Sequence, residues 1–276
     1  MATLEQLWTE GTKILEASGV QEARLNAWYL LSEAFSISRA SYVLDKDKEA
    51  QMEPRERYLA WIATRATHYP LEYILGKQEF MGLEFIVNEN VLIPRQDTEI
   101  LVEKVLSLCK EKTVLDMCTG SGCIAISIAK LGNPKNTTAV DISIGALAVA
   151  GQNVEANAVS VQLIESNLFE NVSGTYDMIV SNPPYIESEV IETLMPEVRE
   201  FEPRLALDGT EDGLYFYRKI SKEAPGFLNE GGEIFFEIGY NQGAAVKNML
   251  LEAGFENIQV WKDLAGLDRI VYGKLK

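Results

Sequence analysis

The sequence predicts an α/β protein: an open, mostly parallel sheet covered by helices, with a smaller helical region before it. From Thr113 onward, short apolar runs alternate with amphipathic stretches, the pattern of strands joined by crossover helices. Before that, apolar side chains recur at helical spacing through roughly the first 70 residues. A chain of 276 residues is long for one compact domain, so we expect one large domain and one small one.

The composition is that of an acidic chain with an ample core. Hydrophobic residues make up 47% of the sequence, and the net charge at pH 7 is −16. Nucleic-acid binding depends largely on Lys and Arg side chains that neutralise phosphates, and we find no cluster of them. A protein or small-molecule partner is therefore favoured over direct contact with nucleic acid.

The cysteine pattern and the hydropathy indicate the compartment. The three cysteines, Cys109, Cys118 and Cys123, form neither an even disulfide set nor a Cys-x-x-Cys pair. No apolar run approaches the roughly 20 residues that span a bilayer, and the amino terminus does not read as a signal peptide. We expect a cytoplasmic monomer with free thiols and no membrane contact.

The amino-terminal region, residues 1–74, is predicted to be helical. Apolar residues at a 3.6-residue period predict helices near residues 4–15, 25–35 and 54–68, with a break at Ser18-Gly19. Because these helices carry no chemical motif, we interpret the region as a substrate-recognition domain; simple structural packing explains it equally well. His68, the only histidine, has no partner of catalytic type nearby in sequence and is expected to be structural, and no metal site is expected.

Residues 75–93 are predicted to form a β-hairpin linker between the two domains. Short extended runs lie on either side of a turn at Asn88-Glu89-Asn90. After Pro94, Asp97 or Thr98 can cap a helix that runs to Leu108. The large domain is expected to occupy residues 94–276.

Seven strands and four further helices are predicted in the large domain. The strands lie near residues 113–116, 137–141, 160–164, 177–181, 232–238, 256–261 and 269–274. The helices lie near residues 122–131, 144–156, 212–228 and 241–253. Only a short loop separates the last two strands, which is too little for a helical crossover, so they are expected to pair antiparallel.

The segment Asn182-Pro183-Pro184-Tyr185 follows a predicted strand directly. Its prolines lack amide donors and hold the backbone extended, so the strand stops and presents Asn182 and Tyr185 at its carboxyl end. The Asn182 side-chain oxygen and the Pro183 carbonyl can accept both hydrogens of a planar amino group, while Tyr185 packs against its plane. A polar, proline-rich turn that merely ends a strand is the alternative.

A ligand site is predicted where the first three strands of the large domain end. The first strand ends at Asp116, and the turn Cys118-Thr119-Gly120-Ser121-Gly122 lets the backbone approach a ligand closely. Asp141 ends the second strand and can accept both hydroxyls of a ribose, and Leu168 follows the third strand, where an adenine ring would lie.

Two cofactors suit this pattern. Residues 120–125 formally match the dinucleotide fingerprint G-x-G-x-x-A. However, an acid at position 116 would repel a pyrophosphate, whereas it can engage the ammonium of an amino-acid moiety. S-adenosyl-L-methionine has such a moiety and no phosphate, so it is favoured; a glycine turn needed only for tight packing remains an alternative.

These motifs together resemble class I S-adenosylmethionine-dependent methyltransferases that act on planar amino nitrogens. Other segments narrow the resemblance to the PrmC/HemK family of peptide-chain release factor glutamine N5-methyltransferases. They are residues 70–76 (PLEYILG), 91–99 (VLIPRQDTE), 202–203 (EP), 206–207 (AL), 212–214 (DGL) and 262–269 (KDLAGLDR). The resemblance covers essentially the whole chain and implies a Rossmann-like, seven-stranded sheet behind the helical domain.

The resemblance also implies a function. Family members methylate the glutamine side-chain amide in the Gly-Gly-Gln motif of bacterial-type release factors, using S-adenosyl-L-methionine and releasing S-adenosyl-L-homocysteine. It implies that the cofactor is held by Asp116, Cys118, Thr119, Gly120, Ser121, Gly122, Asp141, Leu168 and Asn182. Asn182, Pro183, Pro184 and Tyr185 would bind the glutamine, with Asn182, Pro183 and Tyr185 catalytic.

Three positions depart from the family pattern. Cys118 and Thr210 stand where glycine is usual or common, and Asn167 stands where an aspartate is usual. Cysteine is small enough for cofactor binding to survive, the change at Asn167 can weaken one polar contact to adenine, and the change at Thr210 is expected to be neutral.

Three other classes of function compete with this interpretation. A methyltransferase acting on adenine or cytosine in nucleic acid shares the Asn-Pro-Pro-Tyr device, but it must flip a base and grip phosphates, which the −16 charge disfavours. A dinucleotide-dependent oxidoreductase has no use for that device. A binding module that retains an inactive methyltransferase fold would fail to bind S-adenosyl-L-methionine.

Overall fold

The structure is a computed structural model that describes residues 2–276. The chain divides into two compact units. The first contains Met1–Gly76 and Met195–Phe201, and the second contains Lys77–Leu194 and Glu202–Lys276. No helix in the described part of the chain is both long and apolar enough to cross a membrane.

The first unit is built from five helices. They are α1 Leu4–Ala17, α2 Ala23–Phe35, α3 Arg39–Asp45, α4 Met52–Arg65 and α5 Leu71–Leu75. A capping box starts α1: the Thr3 hydroxyl accepts from the Gln6 amide, and the Gln6 side chain accepts from the Thr3 amide. The predicted break after α1 is confirmed, with Gly19 in the left-handed region at φ 76°. The sequence patterns missed α3 and α5, since helices of seven and five residues are too short to show a period.

A short segment from later in the chain completes this unit. It carries a single π-helical turn, Glu197–Phe201. The Glu197 carboxylate accepts from Arg65 at 2.9 Å and lies 3.2 Å from His68 Nδ1. Burial raises the pKa of Glu197, but the bonds from Arg65 and His68, a backbone hydrogen bond and the Arg65 charge together outweigh it, so the net pKa is lowered. His68 therefore contributes to an ion-paired cluster that fixes this segment.

The second unit begins with a hairpin whose turn differs from the predicted one. Strands β1 Lys77–Phe80 and β2 Leu83–Ile86 pair antiparallel. The turn is Met81-Gly82, both with positive φ (53° and 71°), as a tight two-residue hairpin requires. The prediction of a turn at residues 88–90 within the hairpin was wrong: those residues follow β2 and are tied by a bond from the Asn90 amide to the Asn88 side chain.

A seven-stranded sheet forms the centre of this unit. Its strands are β3 Thr113–Met117, β4 Asn136–Asp141, β5 Gln162–Glu165, β6 Tyr176–Ser181, β7 Leu228–Glu237, β8 Phe255–Lys262 and β9 Asp268–Leu275. The strand order is β5-β4-β3-β6-β7-β9-β8. Strands β3 to β7 are mutually parallel, and β9 pairs antiparallel with both β7 and β8. All seven predicted strands and the antiparallel pairing of the last two are confirmed.

Helices cover both faces of the sheet. They are α6 Gln96–Leu106, α7 Cys123–Leu131, α8 Ile144–Ala156, α9 Ser188–Ile191, α10 Tyr215–Glu223 and α11 Gly243–Glu252. One face packs Val180 and Phe235 against Leu101 of α6. The opposite face packs Phe236 with Leu250 of α11. The predicted cap of α6 was wrong: Arg95 precedes the helix without a side-chain cap, and Thr98 lies inside the first turn.

Candidate active site

A cavity opens at the carboxyl ends of the parallel strands. From β3 the chain builds the sheet outward through β4 and β5, then returns to place β6 on the other side of β3. Such a switch point leaves a crevice for ligands. Eight predicted site residues line the cavity: Cys118, Thr119, Gly120, Ser121, Asp141, Leu168, Asn182 and Pro184. The other four, Asp116, Gly122, Pro183 and Tyr185, are not part of its lining.

The turn after β3 is shaped by two glycines in the left-handed region. A Cβ on Gly120 (φ 56°) would meet no atom within 4 Å, which leaves the cavity open beside it. A Cβ on Gly122 (φ 81°) would lie 2.9 Å from the Ile126 side chain and 3.2 Å from Ala150 Cβ. Gly120 therefore keeps space for a ligand, whereas Gly122 lets the turn pack onto α7 and α8.

Asp116 supports this turn from inside the protein. Its side chain is fully buried, and one oxygen accepts from the Thr119 hydroxyl at 2.5 Å and the Ala125 amide at 3.2 Å. Burial raises the pKa of Asp116 to about 7, although the bond from Thr119 lowers it. Its other oxygen, Oδ1, has no hydrogen-bond partner among residues 2–276. Asp116 thus orients the turn and the start of α7, and the direct contact with a ligand ammonium remains a prediction.

Asp141 faces the cavity from the end of β4. Its two oxygens accept from the backbone amides of Gly120 (2.8 Å) and Ser143 (2.9 Å), so the carboxylate is held firmly while it still lines the cavity. Burial raises its pKa, and these amide bonds oppose the shift. A carboxylate oxygen has more than one lone pair, so both remain able to accept from a hydroxyl.

The backbone conformation of Cys118 shows what the departure from the glycine that is usual in the family costs. Its backbone lies in the left-handed region at φ 64°, where glycine is free of strain and a side chain costs about 1–2 kcal/mol. Burial also raises the pKa of the Cys118 thiol, so it stays protonated at neutral pH. The residue is thus a small neutral wall of the cavity. Asn167, the second departure, bonds to Glu170 at 2.7 Å.

Asn182 is held in one orientation by a neighbour that the sequence did not suggest. Its side-chain nitrogen donates to the Thr98 hydroxyl at 3.2 Å, which leaves the Asn182 oxygen as the acceptor available on the other side of the amide. Thr98 is itself buried in the first turn of α6. The preceding Ser181 hydroxyl donates to the Met117 carbonyl at 2.6 Å and ties the end of β6 to β3.

Residues 182–185 form a tetrad, and its other end is held through the backbone of Tyr185. The Tyr185 carbonyl accepts from the Gln242 side chain at 2.9 Å. The loop before α10 packs directly on the backbone of Tyr185. A Cβ on Gly213 would lie 2.3 Å from the Tyr185 carbonyl oxygen, and a Cβ on Gly209 would lie 2.7 Å from the Tyr185 Cα. Burial raises the pKa of the Tyr185 phenol, which therefore stays neutral. These contacts fix where residues 182–185 lie.

Distant segments supply the supporting contacts, which is why sequence reasoning missed them. Arg95 lines the cavity and pairs with Glu202. Arg269 pairs with Asp97 at 3.1 Å and with Asp263 at 3.0 Å. The supporting side chains whose role the sequence did not indicate are Thr98, Glu237, Gln242 and Asn153, of which Asn153 donates to the Ser121 carbonyl at 2.9 Å. For Glu237 a signal existed: a carboxylate at the end of a buried strand points to the ligand edge of the sheet.

Comparisons with known proteins define the class first. Residues 95–199 match the model of the Methyltransferase small domain family. A methyltransferase structure from Pyrococcus furiosus superposes with a TM-score of 0.55 at 19% identity, covering 71% of this chain and 90% of that one. A ribosomal protein L11 methylase from Lactobacillus delbrueckii subsp. bulgaricus gives 0.50 at 25% identity, covering 72% and 90%. The fold is that of the class I S-adenosylmethionine-dependent methyltransferases, and the chain is a methyltransferase.

Full-length relatives then identify the family. Residues 6–76 match the PrmC N-terminal domain. The release factor glutamine methyltransferase of Geobacter sulfurreducens is 44% identical over 97% of this chain and 94% of its own length. That of Moorella thermoacetica is 42% identical over 97% and 96%. The chain belongs to the release factor glutamine methyltransferase family, and the resemblance noted in its motifs is confirmed.

Proposed function

We propose that this enzyme methylates the side-chain amide nitrogen of the glutamine in the Gly-Gly-Gln motif of bacterial-type peptide-chain release factors, with S-adenosyl-L-methionine as donor. The observation that carries the proposal is the orientation of Asn182. Thr98 takes one hydrogen of its amide, so the Asn182 oxygen is left to accept from a substrate NH₂ group beside the cavity. The names of the full-length relatives agree with this substrate.

The residues around the cavity fit the proposed donor. The open space beside Gly120 lets the backbone approach a ligand, and the Asp141 carboxylate can accept from two ribose hydroxyls. Leu168 offers an apolar wall for an adenine ring, and Cys118 offers a small neutral one. When bound, S-adenosyl-L-methionine supplies a methyl group activated by a sulfonium. Two solved structures of the same fold are described as complexes with AdoMet and with SAH.

The tetrad would prepare a poor nucleophile. An amide nitrogen donates weakly because its lone pair is delocalised into the carbonyl. Acceptance of both hydrogens, by the Asn182 oxygen and the Pro183 carbonyl, would fix the NH₂ group and increase electron density on nitrogen. Correct positioning can lower a barrier by roughly 7–11 kcal/mol in favourable intramolecular cases. As the methyl carbon bonds to nitrogen, its bond to sulfur would break and the sulfur would keep that electron pair. The methylated nitrogen would then be very acidic and would lose one hydrogen as a proton to water, so no strong base is needed.

The deciding experiment measures tritiated methyl transfer from S-adenosyl-L-methionine. The acceptors are an unmodified release factor, its Gly-Gly-Gln variant with Gln→Ala, and plain duplex DNA. We expect label on the unmodified release factor alone. Label on DNA would instead support an amino-methyltransferase of nucleic acid, and absence of label from all three with cofactor bound would point to a different protein substrate.

A further inference from the structure

Glu237 is a buried carboxyl group next to the tetrad that the proposed reaction does not use. It is the last residue of β7, and Ser181 of β6 pairs with Phe236, so Asn182 and Glu237 follow this pair at the ends of adjacent parallel strands. Neighbouring strands lie roughly 4.8 Å apart. Glu237 is 1% exposed, and its Oε2 has no hydrogen-bond partner among residues 2–276. A buried carboxyl group with one oxygen that lacks a hydrogen-bond partner lowers the stability of the folded state, which makes Glu237 a candidate for a functional role.

The surroundings of Glu237 come from several elements. Burial raises its pKa to about 7, while the Thr98 hydroxyl, the Arg269 charge and the Asn182 amide lower it, and Asp97 raises it. Other titratable groups that feel its charge are Cys123, Tyr185, Tyr217 and Arg269. The group can therefore change its charge near neutral pH, with the substrate-binding amide as one of its immediate neighbours.

We propose that Glu237 is a positioning residue: its carboxylate, together with Thr98, holds the Asn182 amide with the oxygen toward the substrate, and its protonation weakens that hold. This inference rests on the proposed function, because it assigns Asn182 to binding of the substrate amide. The Asn182 nitrogen donates to Thr98, so the Thr98 hydroxyl hydrogen is free to donate to the carboxylate. Hydrogen bonds then run one way, from Asn182 through Thr98 to Glu237. A protonated Glu237 becomes a donor and competes for the oxygens of Thr98 and Asn182.

The test compares the pH dependence of kcat for release-factor methylation in wild type, Glu237→Gln and Glu233→Gln. Glu233 is the matched control: a buried carboxylate on the same strand, paired with Lys112 and with Tyr272. We expect wild-type kcat to fall about tenfold for each pH unit below about pH 7. Glutamine cannot titrate and, like the protonated acid, is neutral and carries a donor, so Glu237→Gln should show a kcat at least about tenfold below wild type at pH 8 and change little between pH 6 and 8. Glu233→Gln should show the same fall of kcat below about pH 7 as wild type.

A second measurement does not depend on the substrate. In protein labelled with ¹⁵N-asparagine, the Asn182 side-chain resonance is identified by its loss in Asn182→Ala. We expect its chemical shift to titrate near pH 7 in wild type and in Glu233→Gln, and not in Glu237→Gln. A resonance that does not move with pH in wild type, or an acid limb of kcat that persists in Glu237→Gln, would overturn the inference. No methylation by wild type would refute the proposed function instead, and the titration would still decide the role of Glu237.

Discussion

At the scale of single residues, burial rather than residue type determines what each polar group does. Asp116 and Asp141 lie at the carboxyl ends of neighbouring parallel strands, with Asp116 next to last in β3 and Asp141 last in β4. Asp141 lines the cavity, whereas Asp116 is fully buried, and one of its oxygens accepts hydrogen bonds from the Thr119 hydroxyl and the Ala125 amide. The Asn182 nitrogen donates to Thr98, which leaves the Asn182 oxygen for the proposed recognition of the substrate amide.

Replacement of Asn182 by alanine tests this division directly. Asn182→Ala removes one of the two acceptors proposed for the substrate NH₂ group but leaves Asp141 and the glycine turn intact. We expect release-factor methylation to become undetectable while the Kd for S-adenosyl-L-methionine, measured by calorimetry, changes by less than about threefold. Asn157→Ala, at the end of α8, is the control and should retain activity. Substantial turnover by a folded Asn182→Ala protein would refute the proposed role of the tetrad.

At the scale of elements, turns and short segments rather than whole helices position the site. The left-handed glycines place the turn after β3, and the loop with Gly209 and Gly213 presses on Tyr185. In the helical unit, one π-helical turn is fixed by a buried ion pair. These elements are short, so each depends on a few contacts that a single substitution can remove.

The two glycines of the turn after β3 should respond differently to alanine. Gly120→Ala has room for its Cβ and costs only the strain of a left-handed residue, about 1 kcal/mol, but its methyl group enters the cavity. Gly122→Ala adds a clash to the same strain and should cost about 2–4 kcal/mol. We expect Gly120→Ala to weaken cofactor binding at least tenfold with a small fall in Tm, and Gly122→Ala to lower Tm more. Unchanged binding by Gly120→Ala would contradict the assignment of the cavity.

The ion pair of the π-helical segment should give a pH-dependent stability. Glu197→Ala leaves the buried Arg65 guanidinium without its carboxylate and should lower the free energy of unfolding by about 3 kcal/mol at pH 7. The pKa of Glu197 is lowered in the folded state, so its stabilisation is full above about pH 4.5 and is lost as the pH falls through that lowered pKa. The control is Glu200→Ala, since this exposed pair with Arg199 should contribute less than about 1 kcal/mol. Urea unfolding at pH 7 and pH 3.5 measures both, and equal losses from the two variants would contradict the assignment.

At the scale of the whole molecule, the net charge of −16 governs behaviour more than any single pair. Uncompensated carboxylates repel one another in the compact state, and salt screens this repulsion. The same charge opposes non-specific contact with nucleic acid, in agreement with the proposed protein substrate.

Salt should therefore stabilise the protein. We expect Tm to rise by a few degrees between 20 mM and 300 mM NaCl, as the screening length falls from about 20 Å to about 6 Å. A variant with Glu223→Gln and Glu252→Gln, both at exposed positions, has two fewer negative charges and should show a smaller rise. A Tm that falls with salt in wild type would show that specific surface pairs outweigh the net repulsion.

Much of the fold was predictable because it depends on local patterns. β6 contains the apolar run Met178-Ile179-Val180, and the two consecutive prolines that follow mark where it ends. The errors have equally local causes. The hairpin turns at Met81-Gly82, whereas the better turn chemistry of residues 88–90 forms the next turn along. Thr98 has the chemistry of a helix cap, but a tertiary bond from Asn182 uses its hydroxyl instead.

The sequence by itself determined the class of fold, the family and eight of the residues that line the cavity at the carboxyl edge of the sheet. These follow from periodicity, proline and glycine chemistry, and motifs contained within a few consecutive residues. Only the tertiary structure decided that Asp116 lies behind the cavity, that Thr98 and Gln242 hold the two ends of the tetrad, and that Glu237 lies beside Asn182. The reason is physical: side-chain contacts join residues that are far apart in the sequence, such as Thr98 and Asn182, which are 84 positions apart, and no local pattern encodes which of them meet.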